Sequence, residues 1–194
     1  MPITVLKKLF CIAGLLFLLP ILVVSAIMIL FEDGMPILFR QIRIGLNQNK
    51  FVIYKLRTMK KNTPNVGTHE IDSSFNLKCG SLLRSIKLDE FPQLINVIKG
   101  DLNLIGPRPC LENQLDLIKH RSKQSIFSIK PGVTGLAQVM GYDMSDPEKL
   151  AKVDKIYIKN KNWFIDGLIF FATFINLPKK YLSKKLNIAI LKNE

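Results

Sequence analysis

Leu9 to Phe31 is a run of 23 residues without a charge, preceded by Lys7-Lys8 and closed by Glu32-Asp33-Gly34. As a straight helix it would be about 34 Å long, enough for a hydrocarbon core of about 30 Å. Pro20 is its midpoint, with eleven residues on each side. A proline there removes the bond to the carbonyl of Leu16 and clashes with it, so a central kink is expected, with arms of about 16 Å each. Three arrangements are open: a spanning anchor, a helix that enters and leaves by one face, and a cleaved signal peptide ending at Val24-Ser25-Ala26. The apolar run continues five residues past Ala26, which counts against cleavage. Lys7 and Lys8 before the run are matched by Arg40 and Arg43 after it, a balance suited to two cytoplasmic ends.

Beyond this run the pattern shortens. Ile37-Leu38-Phe39 and Phe51-Val52-Ile53-Tyr54 flank a turn region at Gly45-Leu46-Asn47 and predict a short β-hairpin within Pro36 to Met59. Lys60 to Ser74, with Asn62, Pro64, Asn65 and Gly67, reads as a surface loop. Phe91, Leu94, Ile95 and Ile98 fall at helical spacing. Lys99 in the last turn and Gly100 just beyond predict where that helix stops. Pro92 is tolerated only in a first turn, so the helix should start near Asp89-Glu90 with Asp89 as its N-cap. Trp163 to Leu177 is a second apolar, aromatic stretch, too short to span a membrane, and Lys179, Lys180, Lys184 and Lys185 follow it. It suits either a helix lying on anionic lipid or a buried core helix with a solvated lysine tail.

Composition narrows the classes. The chain has 194 residues, 48% of them hydrophobic and 22% charged, with a formal net charge of +13. That excludes a disordered chain. Cys11, Cys79 and Cys110 are too few and too scattered for a disulfide scaffold, and His69 and His120 lie 51 residues apart, which disfavours zinc. The charge excess keeps one non-catalytic class open: a membrane-tethered basic module that binds nucleic acid or anionic lipid.

Candidate chemistry gathers mid-chain. Asp89 and Glu90 are adjacent, so on a helix they diverge by about 100° and can do two jobs, one attacking while the other holds a cation. At a helix start, exposed N–H groups would also favour a phosphate. Arg108 sits between Pro107 and Pro109, which hold it on a stiff extended segment with a guanidinium suited to phosphate oxygens. Gly132 and Gly135, in a segment ending at Gln138, would allow a backbone to approach a ligand closely. Lys55 and Arg57, on one face if extended, make a two-cation patch.

Four segments together resemble the bacterial sugar transferases, the monotopic phosphoglycosyl transferases of the minimal, single-domain type. They are Lys55-Leu-Arg-Thr-Met59, Arg84-Ser-Ile-Lys-Leu-Asp-Glu-Phe-Pro-Gln-Leu94, Asn96-Val-Ile-Lys-Gly-Asp-Leu-Asn-Leu-Ile-Gly-Pro-Arg-Pro109 and Lys130-Pro-Gly-Val-Thr-Gly-Leu-Ala-Gln138. The resemblance implies an α+β, mostly helical fold with an N-terminal re-entrant kinked helix, interfacial amphipathic helices and a small β-hairpin. It divides the chain into a re-entrant helix over 1–34, a catalytic domain on the cytosolic face over 35–177 and a basic tail over 178–194. It implies transfer of a phosphosugar from a UDP-sugar to undecaprenyl phosphate with release of UMP, the first membrane step of bacterial glycan assembly. Asp89 would be the nucleophile that carries the phosphosugar covalently, and Glu90 would help hold Mg²⁺. Arg84, Arg108, Lys55, Arg57 and Gln138 would bind substrate. The implied location is the cytosolic face of the inner membrane, against anionic lipid and without nucleic acid, and a homodimer is compatible with it. Two positions depart from the family pattern: Leu19 stands where a serine precedes the kink proline, and Tyr142 follows Gly141 where many members carry an arginine.

Overall fold

The structure, a computed structural model, describes residues 2–64 and 71–188, with side chains from Val5 onward. Part of the expected surface loop, His69 and the end of the basic tail lie outside the described residues. The fold is α+β and mostly helical, and the chain divides into two packed units. The first comprises Met1–Ile42 and Val52–Gly100, and the second Arg43–Phe51 and Asp101–Glu194.

In the first unit, helix α1 (Pro2–Asp33) contains the whole uncharged run. It continues through Pro20 as one helix rather than breaking there. One turn later the Ser25 hydroxyl donates to the Ile21 carbonyl at 2.7 Å, a back-bond of the kind that bends helices. Only 11% of the most apolar stretch of α1 is buried, and Phe17 and Phe31 are 85% and 86% exposed. Cys11, Ser25 and Ile29 are buried, and Ile29 with the half-buried Leu22 packs with Leu56, Leu77, Leu83 and Leu88.

The acidic pair that ends α1 joins it to the rest of the unit. Glu32 accepts from the backbone N–H groups of Lys78 and Cys79, at 2.6 and 2.9 Å, and so serves the open N-terminus of α2 (Lys78–Ser85). Asp33 accepts from Arg57 Nη1 at 2.7 Å, while Arg57 Nη2 donates to the carbonyls of Asp33 and Gly34.

Strands β1 (Leu38–Ile44) and β2 (Lys50–Leu56) form the expected hairpin. Asn47 and Gln48 turn the chain with φ of 51° and 62°. Helix α3 (Gln93–Lys99) ends as expected, with Lys99 in its last turn and Gly100 at φ 91°. Its start differs. Asp89 is not an N-cap, because a 3-10 turn over Leu88–Glu90 precedes the helix and Pro92 takes the cap position. The buried face of α3 also differs: Gln93, Asn96 and Val97 are the buried residues, and the apolar stripe of Phe91, Leu94, Ile95 and Ile98 is half-buried. The cause is that α3 is packed on two sides. Leu94 lies toward α1, where a Cβ on Gly14 would be 3.7 Å from its Cδ1, and Asn96 faces β2.

In the second unit, strands β3 (Asn103–Ile105) and β4 (Gly132–Thr134) pair in parallel, with Asn103 opposite Gly132 and Ile105 opposite Thr134. Around them lie α4 (Leu115–Lys123), α5 (Leu136–Met140), α6 (Pro147–Asn160), α7 (Trp163–Ala172) and α8 (Leu177–Lys185). Their core includes Ile105, Leu117, Leu136, Leu150, Val153, Tyr157, Ile169 and Leu182. The Trp163–Leu177 stretch is buried on one side and exposed on the other. Ile165, Ile169 and Ala172 of α7 are core residues, while Trp163, Phe171, Phe174 and Leu177 are exposed. The segment read as a basic tail is not a simple appendage, because Leu182, Leu186 and Ile188 are buried in the same core.

Candidate active site

The acidic pair is placed by the turn that leads into α3. Lys87 adopts the left-handed conformation, φ 58° and ψ 20°, and redirects the chain after α2. Glu90 and Phe91 N–H groups then bond to the Lys87 and Leu88 carbonyls at 3.3 and 3.2 Å. The turn therefore consumes N–H groups that a free helix start would offer a phosphate, and Pro92 has none to offer. Asp89 is 6% exposed, and Glu90 receives Lys55 Nζ on its Oε1 at 2.7 Å.

Arg84 reaches the same locality from α2. Its approach depends on Gly80, where a Cβ would lie 2.2 Å from the Thr58 carbonyl oxygen. With α2 that close, Arg84 Nε donates to Thr58 Oγ1 at 2.8 Å and Nη1 to Asn76 Oδ1 at 3.0 Å. Burial pushes the Arg84 pKa below its ordinary value, and the charge of Asp89 works against that shift. The first unit thus gathers Lys55, Arg84, Asp89 and Glu90.

Arg57 is directed elsewhere, which corrects the expected two-cation patch. It is 5% exposed and spans Asp33 and the carbonyls that end α1, while Lys55 turns to Glu90. The reason is position: Arg57 lies just past the end of β2, beside the C-terminus of α1.

Sequence reasoning missed Asn96. It is fully buried, donates from Nδ2 to the Val52 carbonyl at 2.7 Å and accepts at Oδ1 from the Tyr54 N–H at 3.2 Å. One amide thereby satisfies two backbone groups of β2 and fixes the strand that carries Lys55. Its signal was an uncharged polar residue opposite the apolar stripe, with Gln93 three residues earlier. Gln93 is also buried, and its Nε2 has no hydrogen-bond partner among the described residues.

Arg108 and Gln138 belong to the second unit. Arg108 is half-buried on the segment between β3 and α4, and its carbonyl accepts from Arg121 Nη1 at 2.7 Å. Gln138 lies on α5, and its Oε1 is buried without a hydrogen-bond partner among the described residues. The glycines before it serve a different approach from the one expected. A Cβ on Gly132 would lie 2.1 Å from Gly106 N, and one on Gly135 would lie 2.2 Å from Gly106 O. These glycines let two backbones of the unit meet, rather than a backbone and a ligand. Tyr142 stands against the second unit's core, with its hydroxyl 3.5 Å from the Ile188 carbonyl, and burial raises its pKa.

No group of three or more His, Cys, Asp or Glu side chains able to hold a metal occurs among the described residues. The adjacent carboxylates of Asp89 and Glu90 still fit Mg²⁺, which takes one or two carboxylates and completes its shell with water and substrate phosphates.

Comparison with known proteins identifies the family. The family model of bacterial sugar transferases matches residues 4–180. The chain is 37% identical over 166 residues to the uncharacterized sugar transferase EpsL of Bacillus subtilis, covering 84% of this chain and 82% of that protein. It is 32% identical over 194 residues to the exopolysaccharide production protein ExoY of Sinorhizobium fredii, covering 91% of this chain and 84% of that protein. It is also 35% identical over 161 residues to a UDP-N-acetylgalactosamine-undecaprenyl-phosphate N-acetylgalactosaminephosphotransferase of Aeromonas hydrophila, covering 79% of this chain but only 38% of that protein. The chain belongs to the bacterial sugar transferase family and is a transferase.

Proposed function

We propose that this protein moves a phosphosugar from a UDP-sugar to undecaprenyl phosphate by double displacement at Asp89. The observation that carries the reading is the pairing in one tight turn of a buried carboxylate, Asp89, with Glu90, next to Lys55 and Arg84. The Asp89 carboxylate attacks the phosphorus that bears the sugar, the bond to the UMP oxygen breaks, and UMP leaves with its electron pair. A phosphate oxygen of the lipid then attacks the same phosphorus and releases the Asp89 carboxylate. Two negatively charged reactants meet in each step, so the charge must be offset. Lys55, bonded to Glu90, and Arg84, within electrostatic reach of Asp89, are assigned to this, and Arg108 is assigned to the donor phosphates. Glu90 would hold Mg²⁺ with the donor diphosphate, and a bound Mg²⁺ supplies charge neutralisation at the phosphoryl oxygens. A covalent intermediate also removes the need to assemble a soluble donor and a membrane-bound acceptor at one moment.

The place of action follows from the same reading: the cytosolic face of the inner membrane, with α1 re-entrant. Its support is the uncovered apolar surface of α1, the midpoint Pro20 and the exposed aromatic face of α7 beside the lysines of α8. In cells carrying Lys7→Cys or Met35→Cys, an impermeant thiol reagent added to inside-out vesicles should label both positions. Labelling of the two from opposite sides would mean that α1 spans the membrane.

The function itself is tested by purified protein, Mg²⁺, undecaprenyl phosphate and a panel of UDP-sugars, scored for UMP. At least one sugar should give sustained UMP release that EDTA abolishes. Salt-sensitive binding of polyanions with no UMP from any sugar would favour the basic-module reading.

A further inference from the structure

Four consecutive backbone carbonyls of the Pro107–Cys110 segment each receive a donor from a different group. Gly132 N–H donates to Pro107 at 2.9 Å, Arg121 Nη1 to Arg108 at 2.7 Å, Arg43 Nη1 to Pro109 at 3.1 Å, and Ile44 N–H to Cys110 at 2.9 Å. The two side-chain donors are both cationic and both buried, Arg121 at 2% exposure and Arg43 at 9%. Arg121 is itself held by Asp154, whose Oδ2 accepts from Nε at 3.0 Å and from Nη2 at 2.6 Å. Burial raises the Asp154 pKa, with the charge of Arg121 pulling the other way.

A buried ion pair is a poor way to gain stability. Both charges lose their hydration, and a well-packed apolar pair of similar volume often serves as well or better. An apolar pair, however, cannot place a third donor on a neighbouring carbonyl. Here that donor is Nη1, and the carbonyl is that of Arg108. The flanking prolines fix their own φ and restrict the residues before them. Pro109 confines Arg108 to extended backbone, and within that range the bond from Arg121 Nη1 to the Arg108 carbonyl fixes the plane of the Arg108–Pro109 peptide.

We propose that Arg121, oriented by Asp154 and assisted by Arg43, is a positioning residue that aims the Arg108 guanidinium at the donor phosphates. The proposal rests on the reading of Arg108 as a phosphate ligand. Arg121→Lys keeps a charge for Asp154, but one ammonium cannot reproduce the three-pronged contact with Asp154 and the Arg108 carbonyl. It should lower kcat/KM for the UDP-sugar by about ten- to a hundredfold, the scale of a misplacement of about 1 Å.

The decisive experiment is the double-mutant cycle, read by single-turnover UMP release with the melting temperature recorded in parallel. In an Arg108→Ala background the same Arg121→Lys change should cost less than about twofold, because the group it aims is gone. An equal loss in both backgrounds, or no loss in the otherwise unaltered enzyme, overturns the proposal. If Arg121→Lys does not fold, Arg43→Gln, which frees the Pro109 carbonyl, is put through the same cycle with the same two outcomes. If Arg108→Ala alone leaves turnover unchanged, the phosphate role of Arg108 fails first and the proposal with it. An additive cycle on a strongly impaired Arg108→Ala enzyme leaves that role standing and rejects only the positioning.

Discussion

Asp89→Asn is expected to abolish turnover and covalent adduct together, with a rate loss on the order of 10⁴-fold or more. The carboxamide has nearly the same shape, so the buried position in the Leu88–Glu90 turn can accept it. What it lacks is an anionic oxygen able to form a bond to phosphorus. The fold should persist, because Arg84 keeps its bonds to Thr58 and Asn76 when the charge of Asp89 is removed. Turnover is measured as UMP release, and the fold by the melting temperature. A folded Asp89→Asn protein that keeps substantial activity would make Asp89 a structural residue of the turn, and a direct transfer from donor to lipid phosphate the better account.

The largest expected loss of stability is that of Gly132→Ala. The new Cβ would lie 2.1 Å from Gly106 N and 2.7 Å from both Gly106 Cα and the Ile105 carbonyl carbon. All three are backbone atoms, so no flexible side chain can yield, and β3 and β4 would have to separate. A cost of about 3 kcal/mol or more is expected, the upper end for overpacking. For a chain of this size that is a fall of roughly 6–12 °C in melting temperature. Gly167→Ala is the control: it lies inside α7, and a Cβ there meets nothing within 4 Å. Relieving a helix of its glycine should leave stability unchanged or raise it by up to about 1 kcal/mol. Equal melting temperatures for Gly132→Ala and the unaltered protein would show that the β3–β4 approach is not as close as described.

The elements with a long or regular signal were legible in the sequence. Helix α1 follows from a run of 23 uncharged residues, the hairpin from two apolar segments around Gly45-Leu46-Asn47, and the end of α3 from Lys99-Gly100. The β3–β4 pair was not legible, because three residues per strand carry no readable period and the glycines that permit the pairing resemble a ligand loop. The start of α3 was misplaced by a few residues because a 3-10 turn and an α-helix share the same early signals of an acidic pair and a proline. Arg57 looked like a ligand because local alternation says which way a strand side chain points, not that Asp33 waits 24 positions earlier. The Arg121–Asp154 pair joins α4 and α6 across 33 positions and leaves no local pattern at all. Tyr157, buried beside Asp166 with its hydroxyl 2.8 Å from Oδ1, is a similar case; burial and then that carboxylate push its pKa up.

The central claim is that Asp89 carries the phosphosugar. Enzyme incubated with Mg²⁺ and an active UDP-sugar, but no lipid, is digested and the peptide containing Asp89 is weighed by mass spectrometry while UMP is counted. The account predicts one phosphosugar added to that peptide, with UMP released in rough proportion to active enzyme and no adduct in Asp89→Asn. UMP that appears only after undecaprenyl phosphate is added, with the Asp89 peptide unmodified throughout, would contradict it.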